Sequence, residues 1–281
     1  MTSKNLLGVA AVAAVLLTTS CQQNTNKEET TNSDTTVTAV TANSGPIVME
    51  EVMNGEEFPD AQLAMGNTST SMSGDSVKVT FNFNVKNYDL KSQTSDSVKG
   101  ICSNSDKGQH IHFILDNGPY AALYDPKHEV TLAKNTEHYV LAFLSRSYHM
   151  SLKNKNAAVL YHFKVDENGK LQKLDVPNSP MVFYSRPKGD YLGNDAKNVL
   201  LDFYVWNTTL GSSNRVKADI NTGGKDTSIM ITEWKPYFLK NLAMGKNSIT
   251  LTMLDGNGNK VTGDNTEVTR EFNLAEGEPM R

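Results

Sequence analysis

The sequence predicts an all-β protein, in which two tandem antiparallel β-sandwiches follow a signal peptide and a flexible tether. Three observations carry this expectation. Beyond Gly45 the apolar residues alternate at period two between clusters of Gly, Asn, Asp and Ser. Long helical periodicity is absent from the same region. The two halves of that region also repeat residues in the same order along the chain.

Residues 1–20 read as an address rather than as part of the fold. Lys4 is the one charge ahead of Leu6–Leu17, twelve apolar or small residues without a break. Twelve is short of the roughly 20 that span a bilayer as a helix, and it fits the apolar region of a secretory signal. Thr18-Thr19-Ser20-Cys21 then resembles a bacterial lipoprotein lipobox, with Thr18 where Leu is usual. The resemblance implies diacylation of Cys21, which becomes the mature N-terminus. The expected location is the cell envelope, lipid-anchored in the outer membrane and facing the periplasm or the exterior. Loss of Lys4 takes the net charge from −4 to −5. Cys102 is then the second of two cysteines, without an intramolecular partner.

Residues 21–45 form the expected tether. Gln22–Gly45 has no aromatic residue and seven Thr in 24 positions, too little apolar surface to offset its ordering entropy. Asp34-Thr35-Thr36, Asp75-Ser76-Val77 and Asp96-Ser97-Val98 resemble the short acceptor pattern of Bacteroidota O-glycosylation, which implies Thr35, Ser76 and Ser97 as acceptors.

The folded part divides by its internal repeat. Val77–Val85 alternates with Val79, Phe81 and Phe83 on one face, and Ile249–Leu254 alternates through Leu251 and Met253. Leu132–Leu144 aligns without a gap on Leu242–Leu254. Phe83, Val85, Asn87 and Leu90 match Phe203, Val205, Asn207 and Leu210. Pro119-Tyr120 matches Pro236-Tyr237, and Pro46-Ile47-Val48 matches Pro180-Met181-Val182. The expected boundaries are 46–166 for the first sandwich, 167–176 for a linker and 177–281 for the second. L-x-x-G-x-N-x-I-x-L from Leu242, followed by Asp255-Gly256-Asn257-Gly258, is similar to the E–F corner and F strand of immunoglobulin-like bacterial domains. The mature chain as a whole resembles uncharacterised Bacteroidota lipoproteins with tandem immunoglobulin-like sandwiches. That resemblance implies a scaffold and no chemistry.

The halves differ in their histidines. All six lie between His110 and His162. The repeat sets Arg215 and Lys217 over His110 and His112, Ser248 over His138, and Asn259 over His149. Strand parity puts Ile111, Phe113 and Leu115 toward the core, so His110 and His112 share the opposite face, about 6–7 Å apart. Ile114, Val140, Ala142 and Leu144 are read as leaving by that face too, which implies cover from the other sandwich or a partner. In an immunoglobulin-like order the His110/His112 pair starts the C strand. His149-Met150 lies in the F–G loop and Cys102 in the B–C loop at the same end. His110, His112, His149 and Cys102 are therefore the candidate metal ligands, with Cu or Zn as the ion. The competing expectation is that these histidines line an interface and Cys102 is an idle buried thiol. His138 falls at the far end of the sheet, and His128 in the turn-like Asp125-Pro126-Lys127-His128.

Composition narrows the function classes. The 281 residues are 38% hydrophobic and 21% charged, with 27 basic against 31 acidic side chains. A slightly acidic chain without a basic block is a poor nucleic-acid binder. There is no G-x-S-x-G, H-E-x-x-H, phosphate loop or C-x-x-C, so the expectation is a non-enzyme. The leading expectation is an anchored binding or interaction module, its partners the membrane and a cell-envelope protein or glycan. The alternative is a metal-handling protein. A lower one follows from Ser145–His149 and Leu210–Asn214, which resemble fragments of forkhead-associated phosphopeptide-binding domains. Glu233–Phe238 is read as a core anchor in preference to a contact patch.

Overall fold

The computed structural model describes residues 45–53 and 55–277. Cys21, Thr35, the signal and the tether lie outside the described residues. Seventeen strands follow: β1 (Val48–Glu51), β2 (Gln62–Ser73), β3 (Ser76–Lys86), β4 (His110–Leu115), β5 (Ala121–Leu123) and β6 (Lys127–Ala133). Next come β7 (Thr136–Ser145), β8 (Ala158–Val165), β9 (Leu171–Lys173), β10 (Met181–Arg186), β11 (Gly189–Leu192) and β12 (Val199–Trp206). The chain ends with β13 (Asn214–Thr222), β14 (Lys225–Ile231), β15 (Tyr237–Lys240), β16 (Gly245–Asp255) and β17 (Glu267–Ala275). Among the described residues no helix is long and apolar enough to cross a membrane.

The strands build two immunoglobulin-like sandwiches. In the first module the sheet β2-β3-β6 faces β5-β4-β7-β8-β9. In the second, β1-β15-β12-β10 faces β11-β17-β16-β13-β14. The pairings are antiparallel except β11 with β17. Alternation makes the cores: Val77, Val79 and Phe81 of β3 meet Ile111 and Phe113 of β4, while Phe203 and Val205 meet Val216, Ala218 and Leu251. The β13–β14 hairpin closes through Gly223 and Gly224, both at positive φ (57° and 75°), as a two-residue turn of this hand requires. Asn87 and Asn207 stand at equivalent ends of β3 and β12. Each has φ 54°, and each donates its amide back to the opening of its module, Asp60 O and Pro177 O respectively.

Several expectations about the repeat need correction. Val48–Glu51 does not open the first module. It pairs with β15 and extends a sheet of the second, so Pro46-Ile47-Val48 is not the counterpart of Pro180-Met181-Val182. The pairings Leu63↔Val85 and Val182↔Val205 give Val182 its counterpart in Leu63. Tyr120 precedes β5 whereas Tyr237 opens β15, so that match is also accidental. Within 167–176, Leu171–Lys173 pairs with β8 and prolongs the first module instead of linking it onward. The F strands align one residue away from the sequence match. Ile111 pairs with Leu144 and Val216 with Met253, so the Leu132/Leu242 match is one residue out of register with the strands that follow it. His138 therefore matches Asn247, not Ser248, and His149 matches Gly258, not Asn259.

The same pairing corrects the outer face of β7. Directly opposed residues of an antiparallel pair share a face. Val140, Ala142 and Leu144 oppose Leu115, Phe113 and Ile111 and so enter the first core. Ile114, Tyr139, Leu141 and Phe143 take the outer face, where Met181, Phe183 and Tyr204 of the second module cover them. The cover expected of a neighbouring sandwich is thus supplied inside the chain. The Phe143 and Tyr204 rings stack at 5.1 Å.

Candidate metal centre

The histidines sit at one end of this seam. β4 opens on His110 and His112, both wholly buried. The turn between β7 and β8 brings His149 back over them. His110 Nε2 lies 2.9 Å from His112 Nε2 and 3.1 Å from His149 Nδ1. One ring nitrogen from each of the three lies within 4.8 Å of the others. Two ligands about 2.0–2.1 Å from a tetrahedral ion stand about 3.3 Å apart, so an ion would open the two short spacings by a few tenths of an ångström.

Outer partners set the tautomers. His110 Nδ1 faces Gly108 O at 2.8 Å. A carbonyl only accepts, so Nδ1 carries the proton and Nε2 is left with its lone pair. His112 Nδ1 meets Ser185 Oγ of β10 at 3.0 Å, and that hydroxyl can accept or donate as the ring requires. The Tyr120 hydroxyl stands 3.3 Å from His149 Nδ1, and its ring stacks on His112 at 3.6 Å. Such partners hold ligand rings in orientation.

Electrostatics keep the three rings neutral. Burial lowers His110 to about 4, against a partial upward pull from the Gly108 carbonyl. Burial pushes His112 well below the ordinary imidazole range, aided by His110 and His149. His149 goes the same way through burial and then the Arg186 charge. Neutral imidazole is the form that binds a metal.

The remaining candidates separate from this cluster. Cys102 is in the loop between β3 and β4 as expected, but its thiol donates to Val98 O at 3.4 Å. It packs with Val52, Val98, Tyr148 and Met150, and burial pushes it up to about 12, so Cys102 is the idle thiol and not a ligand. Met150 turns its methyl end toward Gly55. His138 bonds Asp116 at 2.6 Å, at the far end of the sheet. His162 is held by Glu137 and by Asp175 O. His128 is on β6 rather than in a turn, with its ring 4.7 Å from Phe113. Ser76 opens β3 half-buried, and Ser97 is exposed.

Two further sequence patterns have a place in the fold. Trp234 donates to Phe203 O and meets Tyr204 edge-on at 4.6 Å, while Tyr237 and Phe238 are buried, as a core anchor should be. Ser145–His149 and Leu210–Asn214 fall on different modules. Sequence reasoning missed Tyr120, Ser185, Arg186 and Lys188. Ser185 lies 73 residues from His112, and no motif joins them.

No family model and no curated sequence matches the chain. Among solved structures, the fibronectin(III)-like modules of Clostridium thermocellum CbhA are 11% identical, with 76% of this chain and 95% of that one covered, at a TM-score of 0.27. Dimeric latent PorU from Porphyromonas gingivalis is 10% identical, with 76% and 20% covered, at 0.27. The chicken interferon gamma receptor alpha chain is 7% identical, with 75% and 97% covered, at 0.22. The protein's class is accordingly defined by its own strands: an all-β chain of immunoglobulin-like sandwiches.

Proposed function

We propose that this is a lipid-anchored, non-enzymatic cell-envelope protein whose first module binds one transition-metal ion of the Cu or Zn class. The observation that carries the reading is the convergence of His110, His112 and His149 nitrogens within 4.8 Å. Histidines that merely lined a seam would spend their ring nitrogens on partners across it. Among the described residues only His112 has such a hydrogen-bond partner, Ser185, and the other contacts turn inward. An imidazole triad of this kind suits Cu and Zn.

The test uses the full chain in detergent, without a histidine tag. Elemental analysis after Cu or Zn loading should give one ion per chain. His110→Ala, His112→Ala and His149→Ala should each weaken binding at least tenfold, with His128→Ala unchanged. Equal effects at His128 and His112 would overturn the site. For the anchor, Cys21→Ser should move the protein to the aqueous phase in detergent partitioning. Retention in the detergent phase would overturn lipidation.

A further inference from the structure

The surroundings of the triad discriminate between ions by charge. No carboxylate or thiolate belongs to the cluster among the described residues. Cations do stand near it. Lys188 Nζ lies 3.9 Å from the Tyr120 ring centroid, on a ring that stacks against His112. The Arg186 guanidinium is 5.5 Å from the same ring. Arg186 is buried, donates to the Tyr191 hydroxyl, and has an ε-nitrogen without a partner among the described residues. An ion held by three neutral imidazoles thus keeps its whole charge and faces two further positive groups. The gap beside His149, lined by Ser103, Arg186 and Tyr191 among others, has no room for a water molecule. No solvent ligand enters by that gap.

We propose that the centre is selective for monovalent copper over divalent zinc. The inference rests on the metal-binding reading above and names the ion. Zn(II) takes four ligands, commonly with an anion or water among them. Three neutral nitrogens beside two protein cations supply no anion, and the gap beside His149 admits no water. Cu(I) carries half the charge, is satisfied by three ligands in a plane, and gains nothing from a missing carboxylate. One unit of ionic charge at roughly 7–8 Å from a protein cation, at an effective dielectric near 20, changes affinity by roughly tenfold or more. Lys188 therefore weighs on Zn(II) twice as heavily as on Cu(I).

The experiment titrates the full-length, tag-free protein in detergent at neutral pH. Cu(I) is added anaerobically against a Cu(I)-specific chelator, and Zn(II) against a Zn(II) chelator, for the parent, Lys188→Gln and His112→Ala. The expected result is one Cu(I) bound at least 100-fold more tightly than Zn(II), with both lost in His112→Ala. Lys188→Gln should narrow the gap roughly tenfold by improving Zn(II) more than Cu(I). A mere disturbance of Tyr120, whose carbonyl accepts from Lys188, would change both ions alike. Zn(II) bound as tightly as Cu(I), or a gap that Lys188→Gln leaves untouched, overturns the selectivity and keeps the site. Binding of neither ion overturns the site itself.

Discussion

His149 and Gly258 occupy the same position of the same turn in the two modules, and both take a positive φ, 69° and 86°. In each turn this residue donates its backbone N–H to the residue three before it, Arg146 and Asp255. The residue after it offers its carbonyl to that same Arg146 or Asp255. The second module fills the position with glycine, whereas the first holds a bulkier side chain in the left-handed region and gains an imidazole aimed at His110.

Backbone strain at that position should be measurable. A β-carbon at positive φ costs about 1 kcal/mol relative to glycine. In metal-free protein, His149→Gly should be more stable to urea than His149→Ala by about that amount, the reverse of the usual order. Gly258→Ala should lose about 1 kcal/mol from φ alone, since an added β-carbon there meets nothing within 4 Å. Equal stability of the two His149 variants would show an unstrained turn.

Acid should loosen the metal-free protein before its carboxylates titrate. Unfolded histidines take up protons near pH 6.5. In the folded chain, burial holds His110 neutral down to about 4 and puts His112 and His149 well below their ordinary range. Besides the Gly108 carbonyl at His110, the polar groups facing them among the described residues are the Tyr120, Tyr124 and Ser185 hydroxyl-bearing side chains and the Arg186 and Lys188 cations, with no carboxylate among them. Between these values the unfolded chain binds more protons. Stability is therefore complete above pH 6.5 and falls on acidification, by up to about 1.4 kcal/mol per pH unit for each histidine. Urea midpoints at pH 7.5 and 5.5, with chelator present, should differ in the parent and differ less in His112→Asn. A midpoint that does not move would contradict neutral burial.

Asn117 tests the seam between modules. Its amide donates to Val182 O at 2.8 Å and accepts from Tyr184 N at 3.1 Å, completing the open side of β10 as a strand would. Asn117 has φ 53°, which Asp tolerates nearly as well. Asn117→Asp keeps the acceptor and loses the donor, leaving the Val182 carbonyl facing a carboxylate. The expected loss is about 1–3 kcal/mol, read by calorimetry on the full chain. A neutral outcome would mean that β10 does not depend on this contact.

The sandwich class was legible because alternation is local: Val77, Val79 and Phe81 state their face within five residues. The site was legible in part for the same reason. His110 and His112 share a face by parity, and His149 follows from strand order. What sequence could not supply was the second module's share. Ser185 meets His112 and Lys188 meets Tyr120 because Phe183 and Tyr204 fill the face left by Leu141 and Phe143, a packing event between distant segments. β1 was misread because a four-residue strand carries no mark of which sheet it joins. The one-residue error in matching Leu132 to Leu242 mattered more. It carried Val140, Ala142 and Leu144 to the wrong face and hid the kinship of His149 with a glycine.

The loop that carries His149 is tied to the second module by a buried ion pair, and that tie gives the most demanding prediction. Asp202 of β12 is wholly buried. It accepts from Ser151 Oγ at 2.8 Å and from Lys153 Nζ at 2.9 Å. Lys153 also donates to Phe203 O and lies 4.9 Å from the Trp234 ring centroid, with 20% of its side chain left exposed. Burial lowers the Lys153 pKa, against the opposing pull of Asp202. An exposed pair is worth at most about 1 kcal/mol, but stranding one charge of a buried pair costs about 3–5 kcal/mol. Asp202→Ala should therefore lose more than an exposed pair would, up to about 3–5 kcal/mol in urea unfolding, and Lys153→Met added to it should recover most of that loss. The double variant restores neutrality while leaving the loop unanchored. Its stability should return while its affinity for Cu or Zn stays below that of the parent, because Ser151 no longer fixes the segment that follows His149. A loss near 1 kcal/mol for Asp202→Ala, or no recovery in the double variant, would mean that the loop is held by apolar packing around Leu152 rather than by this charge pair.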